Sequence, residues 1–249
     1  MDLGLLGRAA LVTGARSGIG AATAAALARE GCDVAIVDRV ADDTTDAVVR
    51  RVEAEGPRAI AIASDIIGFA AADDAVRRTV KAFGRLDIVV SCAGVTADAV
   101  SWKMTEAQWD AVLEVNLKGS FAIARAAAPV LRERQWGRIV LIGSINGRRG
   151  KFGQANYAAS KAGLVGLGKT LARELGKFGV TVNVVAPGMV ATPMTSALPA
   201  GAIQHAEEES VLGRIAEAAD IADAVTFLCS DRARHITGTV VPVDGGQDI

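Results

Sequence analysis

Short apolar runs alternate with longer segments of mixed polarity along almost the whole chain. Apolar runs bounded by Gly, Asp or Ser are typical of buried parallel strands, and the longer segments have the spacing of helices that cover a sheet. This pattern predicts strands at residues 8–13, 33–38, 58–64, 86–91, 137–142, 180–185 and 239–243. It predicts helices at residues 18–30, 42–55, 70–83, 106 to about 132 and 154 to about 177. Because strand and helix alternate, we expect an α/β fold with a doubly wound parallel sheet of the Rossmann type, flanked by helices.

Length and composition predict one domain. The chain has 249 residues, of which 51% are hydrophobic, which is enough for one large α/β domain with a substantial core. It contains no obvious linker, repeat or low-complexity stretch, so we expect a single domain over residues 1–249. The net charge of −1 gives no indication of binding to nucleic acid or to a membrane surface.

The cysteines and the lengths of the apolar runs indicate the cellular compartment of the protein. Cys32, Cys92 and Cys229 are widely spaced and odd in number, which favours free thiols in a reducing compartment over disulfides. His205 and His235 have no partners at metal-ligand spacing, so we assign no metal. No signal peptide is visible, and the longest apolar runs are too short to cross a bilayer. We therefore expect a cytoplasmic protein.

The turn after the first predicted strand has the features of a phosphate-binding site. The segment Thr13-Gly-Ala-Arg-Ser-Gly-Ile-Gly20 joins that strand to an Ala-rich helix. Its glycines would let backbone N–H groups approach a pyrophosphate at the helix N-terminus, although an ordinary strand-to-helix turn can look the same. Ligands of such sheets bind beyond the carboxyl ends of the strands. Other candidates follow predicted strands at the same edge: Asp38, Asp65, Cys92–Gly94, Ser144 and Pro187-Gly188.

A tyrosine and a lysine at helical spacing predict proton transfer. Tyr157 and Lys161 would lie one turn apart on the same helix face. A free tyrosine titrates at about pH 10, so we expect the Lys161 ammonium to lower the pKa of Tyr157 toward the working pH. Ser144 could polarise a substrate oxygen. A surface helix pair would have the same spacing, but the combination with the Gly-rich turn suggests hydride transfer between a nicotinamide and a carbonyl or alcohol.

These motifs resemble those of the short-chain dehydrogenase/reductase family over nearly the whole chain. The matching positions are the Gly-rich turn, Ala93-Gly94, Asn116, Ser144, Tyr157, Lys161, Pro187-Gly188 and Val243–Gly246. Within the family, Gly153–Gly163 and Val182–Gly188 are most similar to 3-oxoacyl-acyl-carrier-protein (ACP) reductases of fatty acid biosynthesis. Ser91–Gly94 and Asp38 resemble the NAD-linked 17β-hydroxysteroid dehydrogenase type 8 branch. The resemblance implies interconversion of a carbonyl and a secondary alcohol.

The resemblance implies a role for each matching residue. Ser144 would hold the substrate oxygen, Tyr157 would transfer the proton, and Lys161 would tune Tyr157 and hold the nicotinamide ribose. Asn116 would support a water-linked proton path to Lys161, or it could be a simple polar contact in the core. The candidate cofactor contacts are Gly14, Arg16, Ser17, Gly18, Ile19, Gly20, Asp38, Asp65, Ala93, Gly94, Tyr157, Lys161, Pro187, Gly188 and Thr192. Asp65 would lie near the adenine, unless it is only a solvated loop carboxylate.

Asp38 favours NAD(H) over NADP(H). A carboxylate at the end of the second strand accepts hydrogen bonds from ribose hydroxyls and repels a 2′-phosphate. Arg16 and Arg39 leave NADP(H) open, since either could meet a phosphate, but NADP-using relatives commonly have a basic residue at the position of Ser17. Cys92 stands where the family usually has Asn, and we expect it to be a small buried side chain without a catalytic role.

The substrate is less well defined by the sequence. The segment at about 190–213, which contains Pro193 and Pro199, is expected to form a lid over the substrate. Arg148, Arg149 and Lys151 could meet an anionic substrate such as an acyl-ACP or acyl-CoA thioester, or they could form a solvated loop.

Two alternatives to a reductase remain open. One is an NAD-dependent dehydrogenase of a secondary alcohol, hydroxysteroid or hydroxyacyl-CoA, which Asp38 favours because NAD pools are oxidised. The other is a non-catalytic dinucleotide sensor, which would not need Asn116, Ser144, Tyr157 and Lys161 together.

The family resemblance also concerns partners. It implies a homotetramer assembled through the helices at 106–132 and 154–177. In relatives that act on acyl-ACP, two basic positions near the active-site mouth align with Gln135 and Phe178. Arg134 and Lys177 are neighbours, but side chains one residue apart on a helix point about 100° apart. We therefore expect a weaker carrier dock here.

Overall fold

The computed structural model describes residues 2–196, 198 and 200–249, and a seven-stranded parallel sheet forms its centre. The strands of this sheet are β1 (Ala9–Thr13), β2 (Asp33–Asp38), β3 (Ala59–Ala63), β4 (Ile88–Ser91), β5 (Gly137–Ile142), β6 (Val180–Pro187) and β9 (Val240–Val243). A separate parallel pair is formed by β7 (Val190–Ala191) and β8 (Ala216–Glu217). The order across the large sheet is β3-β2-β1-β4-β5-β6-β9, which confirms the doubly wound Rossmann topology.

Helices cover both faces of the sheet. They are α1 (Gly18–Arg29), α2 (Asp43–Glu53), α3 (Phe69–Phe83), α4 (Glu106–Leu113), α5 (Ser120–Arg134), α6 (Asn146–Arg149), α7 (Ala155–Leu175), α8 (Pro193–Ser196), α9 (Ala200–Glu209) and α10 (Ala218–Cys229). The apolar sides of α1, α2 and α10 pack on one face, and those of α3, α5 and α7 pack on the other. Short 3₁₀ turns follow α7 and α10, at Gly176–Phe178 and Asp231–Ala233.

Each predicted strand is present, and its ends differ from the prediction by at most two residues. The sequence interpretation missed α10, although its Ile221, Val225 and Leu228 carry the helical spacing of a buried face. The segment predicted as a lid contains β7, α8 and α9, and Pro193 is the first residue of α8. Pro199 lies outside the described residues.

The helix predicted from 106 to 132 is not continuous. A π-helical turn of six residues, Glu114–Gly119, separates α4 from α5. π-Turns are rare and often occur at functional sites, because the widened turn rotates side chains away from the regular helix face. Here the turn contains Asn116, whose side chain is fully buried. The prediction of one regular helix was therefore wrong at the position that matters most for the site.

Gln135 and Phe178 lie at the amino edge of the sheet, just before β5 and β6, whereas Ser144 follows the carboxyl end of β5. Within one chain these two residues therefore lie at the edge of the sheet opposite to Ser144, and their place near the mouth of the site stays a prediction. Arg134 is bound to the fully buried carboxylate of Asp87, with Nε 3.2 Å from Oδ1.

The three cysteines are free thiols, and Cys32 and Cys229 are buried while Cys92 is half-buried. Among the described residues, no helix combines the length and the apolar character needed to cross a membrane.

Candidate active site

A cavity of about 320 Å³ opens at the carboxyl ends of β1, β2 and β4. It lies where the strand order reverses, between β1 and β4, which is the position where doubly wound sheets bind ligands. Most of the predicted cofactor contacts meet here: Gly14, Ser17, Gly18, Ile19, Gly20, Asp38, Asp65, Ala93, Gly94 and Thr192. The arrangement follows from the topology, because each of these segments leaves the sheet at the same edge.

The glycines of the turn after β1 are required by the packing. A Cβ on Gly14 would lie 2.7 Å from the backbone N of Ala93, and a Cβ on Gly20 would overlap the carbonyl oxygen of Gly14. Gly14 and Gly18 also have φ of 62° and 55°, in the left-handed region that favours glycine. The turn therefore presents bare backbone to the cavity.

The N-terminus of α1 suits an anion. Ser17 is at the N-cap, but its side chain makes no capping hydrogen bond, and the first turn of this helix has no acidic residue. The first N–H groups of a helix have no partner within it and carry partial positive charge. Together with the bare turn, they fit the pyrophosphate of a dinucleotide.

Asp38 is held in place at the wall of this cavity. Its carboxylate accepts a hydrogen bond from the backbone N–H of Arg39 at 2.8 Å and from that of Arg16 at 3.3 Å. The Arg16 guanidinium is bound instead to Asp42, with Nη2 2.6 Å from Oδ2, and this bond lowers the pKa of Asp42 to about 2. Arg16 is not among the described residues that line the cavity, although its backbone N–H contacts Asp38, and a direct contact of Arg16 with the cofactor stays a prediction.

A second cavity, of about 730 Å³, adjoins the first. It contains the predicted catalytic residues Ser144, Tyr157 and Lys161 together with Pro187 and Gly188. The residues that line both cavities are Ile19, Cys92, Gly94, Thr192 and Met194. A ligand that extends from one cavity into the other would therefore pass beside Tyr157 and Lys161.

Tyr157 is fixed through its neighbour on α7. The buried Asn156 donates hydrogen bonds to the carbonyl oxygens of Ala97 and Gln108, each at 2.9 Å. Its Oδ1 accepts the backbone N–H of Tyr157 at 2.7 Å. These contacts hold the start of α7 against α4 and the loop after β4, and they set the position of the phenol.

The sequence predicted that Lys161 would lower the pKa of Tyr157, but in the structure this pKa is raised. Burial raises the pKa of Tyr157, and the hydrogen bond with Ser144 opposes that rise. Lys161 Nζ lies 5.6 Å from the ring centroid of Tyr157 and donates to the carbonyl oxygen of Ile142 at 2.8 Å. Burial lowers the pKa of Lys161 to about 8. In the protein without ligands, desolvation therefore outweighs attraction between the two groups.

Asn116 lies beneath the cofactor cavity rather than in its wall. Its side chain forms two hydrogen bonds with the backbone of Val95. Asn116 Oδ1 accepts the Val95 N–H at 2.8 Å, and Asn116 Nδ2 donates to the Val95 carbonyl oxygen at 3.1 Å. Its own carbonyl oxygen accepts a hydrogen bond from Ser120 Oγ at 2.7 Å. A Cβ on Gly94 would lie 3.4 Å from both Asn116 Oδ1 and Lys161 Nζ, so the two groups flank Gly94. The contacts of the side chain agree with the simpler alternative, a polar contact in the core.

The side chain of Cys92 is half-buried at the wall shared by the two cavities, so it is less buried than the sequence predicted. Burial raises the pKa of its thiol to about 12, so the thiol stays protonated at neutral pH. A protonated thiol is a poor nucleophile, which agrees with the absence of a catalytic role.

The basic residues between Ser144 and Tyr157 are mostly committed to ion pairs. Arg148 is paired with Asp248 at 2.7 Å, and Arg149 is paired with Glu209 at 2.9 Å. Lys151 is exposed at the wall of the larger cavity. The structure therefore does not support the expectation that all three meet an anionic substrate.

Several residues of the larger cavity were missed by the sequence interpretation. They are Asp98, Asn146, Gln154 and Gln247, which form polar parts of the wall, and Ala202, His205, Ala206 and Glu209 of α9. Helix α9 belongs to the predicted lid, but no spacing in the sequence shows which of its residues face inward. Gln247 is distant in sequence from the other residues of the cavity, and it belongs to no motif that would have predicted a place in the site.

The chain is similar over nearly its whole length to known reductases. A family model described as enoyl-(acyl carrier protein) reductase matches residues 14–248. The chain is 41% identical over 242 residues to 3-oxoacyl-[acyl-carrier-protein] reductase FabG of Staphylococcus epidermidis, covering 97% of this chain and 99% of that protein. It is 42% identical over 245 residues to short-chain reductase protein NovJ of Streptomyces niveus, covering 96% and 93% of the two chains.

A solved structure supports the same conclusion. The crystal structure of a dehydrogenase/reductase from Sinorhizobium meliloti superposes with a TM-score of 0.93 at 38% identity, covering 100% of this chain and 98% of that one. The resemblance found in the sequence is thereby confirmed: this chain belongs to the short-chain dehydrogenase/reductase family of nicotinamide-dependent oxidoreductases.

Proposed function

We propose that the chain reduces the 3-oxo group of an acyl thioester with NADH. The observation that carries the proposal is that the two cavities adjoin. The cavity that holds Ser144, Tyr157 and Lys161 shares part of its wall with the cavity that fits a dinucleotide. Relatives named 3-oxoacyl-[acyl-carrier-protein] reductase, 40% identical over 96% of this chain, support the substrate class.

In the proposed reduction, Ser144 binds the substrate oxygen and Tyr157 donates the proton. When bound, the nicotinamide supplies the hydride that reaches the carbonyl carbon. Ser144 Oγ accepts the backbone N–H of Asn146 at 3.1 Å, and the hydroxyl proton that it shares with Tyr157 would turn to the substrate oxygen. Tyr157 has a raised pKa, so it is protonated at neutral pH and can act as the general acid.

Lys161 would serve two purposes. Because the pKa of Lys161 is about 8, this side chain is mostly protonated at pH 7. The ammonium can then stabilise the tyrosinate that forms after proton transfer. It also lies beside Gly94, at the wall shared by the two cavities, where it can hold a ribose hydroxyl. Asn116 positions Val95 and thus the neighbouring Gly94 in this arrangement.

NADH is the proposed cofactor because of the charges around the adenosine end of the site. Asp38 presents a carboxylate at the cavity wall, which would repel a 2′-phosphate. Of the two arginines that could meet a 2′-phosphate, Arg16 is paired with Asp42 at 2.6 Å. Arg39 lines the cavity directly beside Asp38, whose negative charge offsets that of its guanidinium.

The proposed substrate is a small thioester with no strong dependence on an acyl carrier. Arg134 is held by Asp87, and Lys177 Nζ lies 5.1 Å from the ring of Phe178 at the amino edge of the sheet. Arg148 and Arg149 are paired near the site. An acidic carrier would meet few uncommitted cations among these residues, so acyl-CoA should serve as well as acyl-ACP.

We also propose a homotetramer, as the family resemblance implies. The helices expected at its interfaces carry large exposed apolar side chains, with Trp109 on α4 and Phe121 on α5. Large exposed apolar side chains that cluster into a patch mark protein–protein contacts, and burial of these two side chains in such a contact is part of the proposal.

Replacing Tyr157 by Phe should reduce kcat by about 100-fold or more, because it removes the proton donor and keeps the ring. The affinity for NADH, measured by fluorescence titration, should stay close to the wild-type value. A Tyr157→Phe enzyme that kept most of its kcat would contradict the assigned mechanism.

The wild-type enzyme should prefer NADH to NADPH, and Asp38→Asn should reduce that preference roughly tenfold, since it removes the charge and keeps an acceptor oxygen. The measurement is kcat/KM with each cofactor at a fixed carbonyl concentration. Asp65→Asn is the matched control, because it changes another cavity carboxylate and should affect both cofactors alike. Equal use of the two cofactors by the wild type would overturn the assignment.

Acetoacetyl-CoA and acetoacetyl-ACP should give similar kcat/KM, and the ratio should change little between low and high salt. A large advantage for ACP that disappears at high salt would show a basic dock and refute this part of the proposal. Turnover of a steroid or cyclic alcohol with NAD, without activity on either thioester, would favour the dehydrogenase alternative.

A further inference from the structure

A series of polar contacts connects the predicted lid to Ser144 along the wall of the larger cavity. Glu209, the last residue of α9, accepts a hydrogen bond from Arg149 Nη2 at 2.9 Å. Arg149 Nε donates to Asn146 Oδ1 at 3.4 Å. The backbone N–H of Asn146 donates to Ser144 Oγ at 3.1 Å. Two side chains therefore separate the lid from the hydroxyl that would hold the substrate oxygen.

Arg149 also holds the C-terminal segment against the lid. Its Nη1 donates to the carbonyl oxygen of Gln247 at 2.6 Å. The side chain of Gln247 donates to the carbonyl oxygen of Ala206 on α9 at 2.6 Å and accepts the N–H of Met189 at 2.8 Å. Arg149 is thus the point at which the Ser144 loop, the lid and the C-terminal segment meet.

The side chain of Asn146 has only one orientation that satisfies all its neighbours. On one side, the carboxylate of Asp98 can only accept, so Gln154 must turn Nε2 toward it, at 2.8 Å, and Oε1 toward Asn146. Asn146 Nδ2 then donates to Gln154 Oε1 at 3.1 Å. On the other side, the guanidinium of Arg149 can only donate, and it requires Asn146 Oδ1. Charges at both ends therefore fix Asn146.

We propose that Arg149 is a positioning residue, which couples the lid to Ser144 through Asn146. With Glu209 in contact, Arg149 orients Asn146, and the Asn146 N–H holds Ser144 with its proton directed to the substrate oxygen. When α9 moves away from the cavity, Glu209 leaves Arg149 and the order of the Ser144 loop decreases. The inference rests on the proposed function, since Ser144 is taken to bind the reacting oxygen.

The contacts of Arg149 favour this role over direct binding of a substrate anion. Its side chain is only 29% exposed and donates to three different residues. The bond to Arg149 lowers the pKa of Glu209, so both partners are charged at neutral pH. A substrate phosphate would have to displace Glu209 before it could reach the guanidinium.

The test compares Arg149→Met, Glu209→Gln and the double variant with the wild type. Arg148→Met is the matched control, because Arg148 lies on the same short helix but pairs with Asp248 instead of the lid. Each single variant should lower kcat for a 3-oxo thioester about fivefold or more, with the KM for NADH unchanged. The double variant should be no slower than Arg149→Met, because both changes break the same connection.

Hydrogen exchange measured by mass spectrometry supplies a readout that does not depend on activity. Arg149→Met and Glu209→Gln should both speed exchange in residues 144–149 as well as in residues 200–209, and Arg148→Met should leave residues 200–209 unchanged. Faster exchange in the lid of Glu209→Gln, with residues 144–149 unaffected, would overturn the coupling.

Kinetics with two thioesters separates the remaining outcomes. If Arg149→Met raises KM for acetoacetyl-CoA but not for the uncharged N-acetylcysteamine thioester, and leaves kcat unchanged, then Arg149 binds a substrate anion and the proposal is wrong. If the wild type reduces neither thioester, the proposed function fails, and the exchange measurement still decides whether the lid and the Ser144 loop are coupled.

Discussion

The site depends on the close approach of two strand ends at the carboxyl edge of the sheet. Gly14, after β1, lies so near the loop after β4 that a Cβ would come within 2.7 Å of the Ala93 backbone. This contact is possible only without a side chain, and it occurs where the strand order reverses. Cys92 and Gly94, the neighbours of Ala93, line both the cavity that fits a dinucleotide and the cavity that holds Tyr157. Every proposed step requires these two cavities to be adjacent.

Burial controls the charges around this junction. Desolvation raises the pKa of Tyr157 and lowers the pKa of Lys161 to about 8, and the thiol of Cys92 is kept neutral in the same way. At neutral pH the protein therefore holds a protonated phenol beside an ammonium that is close to titration. A protonated phenol in this position can deliver a proton to a carbonyl oxygen.

The sequence predicted the fold well because the fold follows from local patterns. Buried parallel strands are continuous apolar runs, and glycines mark the one turn that must pass close to the next loop. The π-turn at Asn116 could not be predicted, since nothing in helix periodicity distinguishes it. The ion pair between Arg16 and Asp42 could not be predicted either, because it depends on how two loops meet. The expected fall in the pKa of Tyr157 was wrong because spacing gives the distance to a charge but not the burial of both groups. The polar wall formed by Asp98, Asn146 and Gln154 depends on tertiary contacts alone.

Transfer of isotope from the cofactor tests the central claim most directly. NADH carrying deuterium on one face of nicotinamide carbon 4 would be incubated with acetoacetyl-CoA, and the hydroxy product would be analysed by mass spectrometry and NMR. The account predicts one deuterium at carbon 3 of the product from one of the two labelled forms and none from the other. A product without deuterium from either form, or no hydroxy product at all, would contradict it.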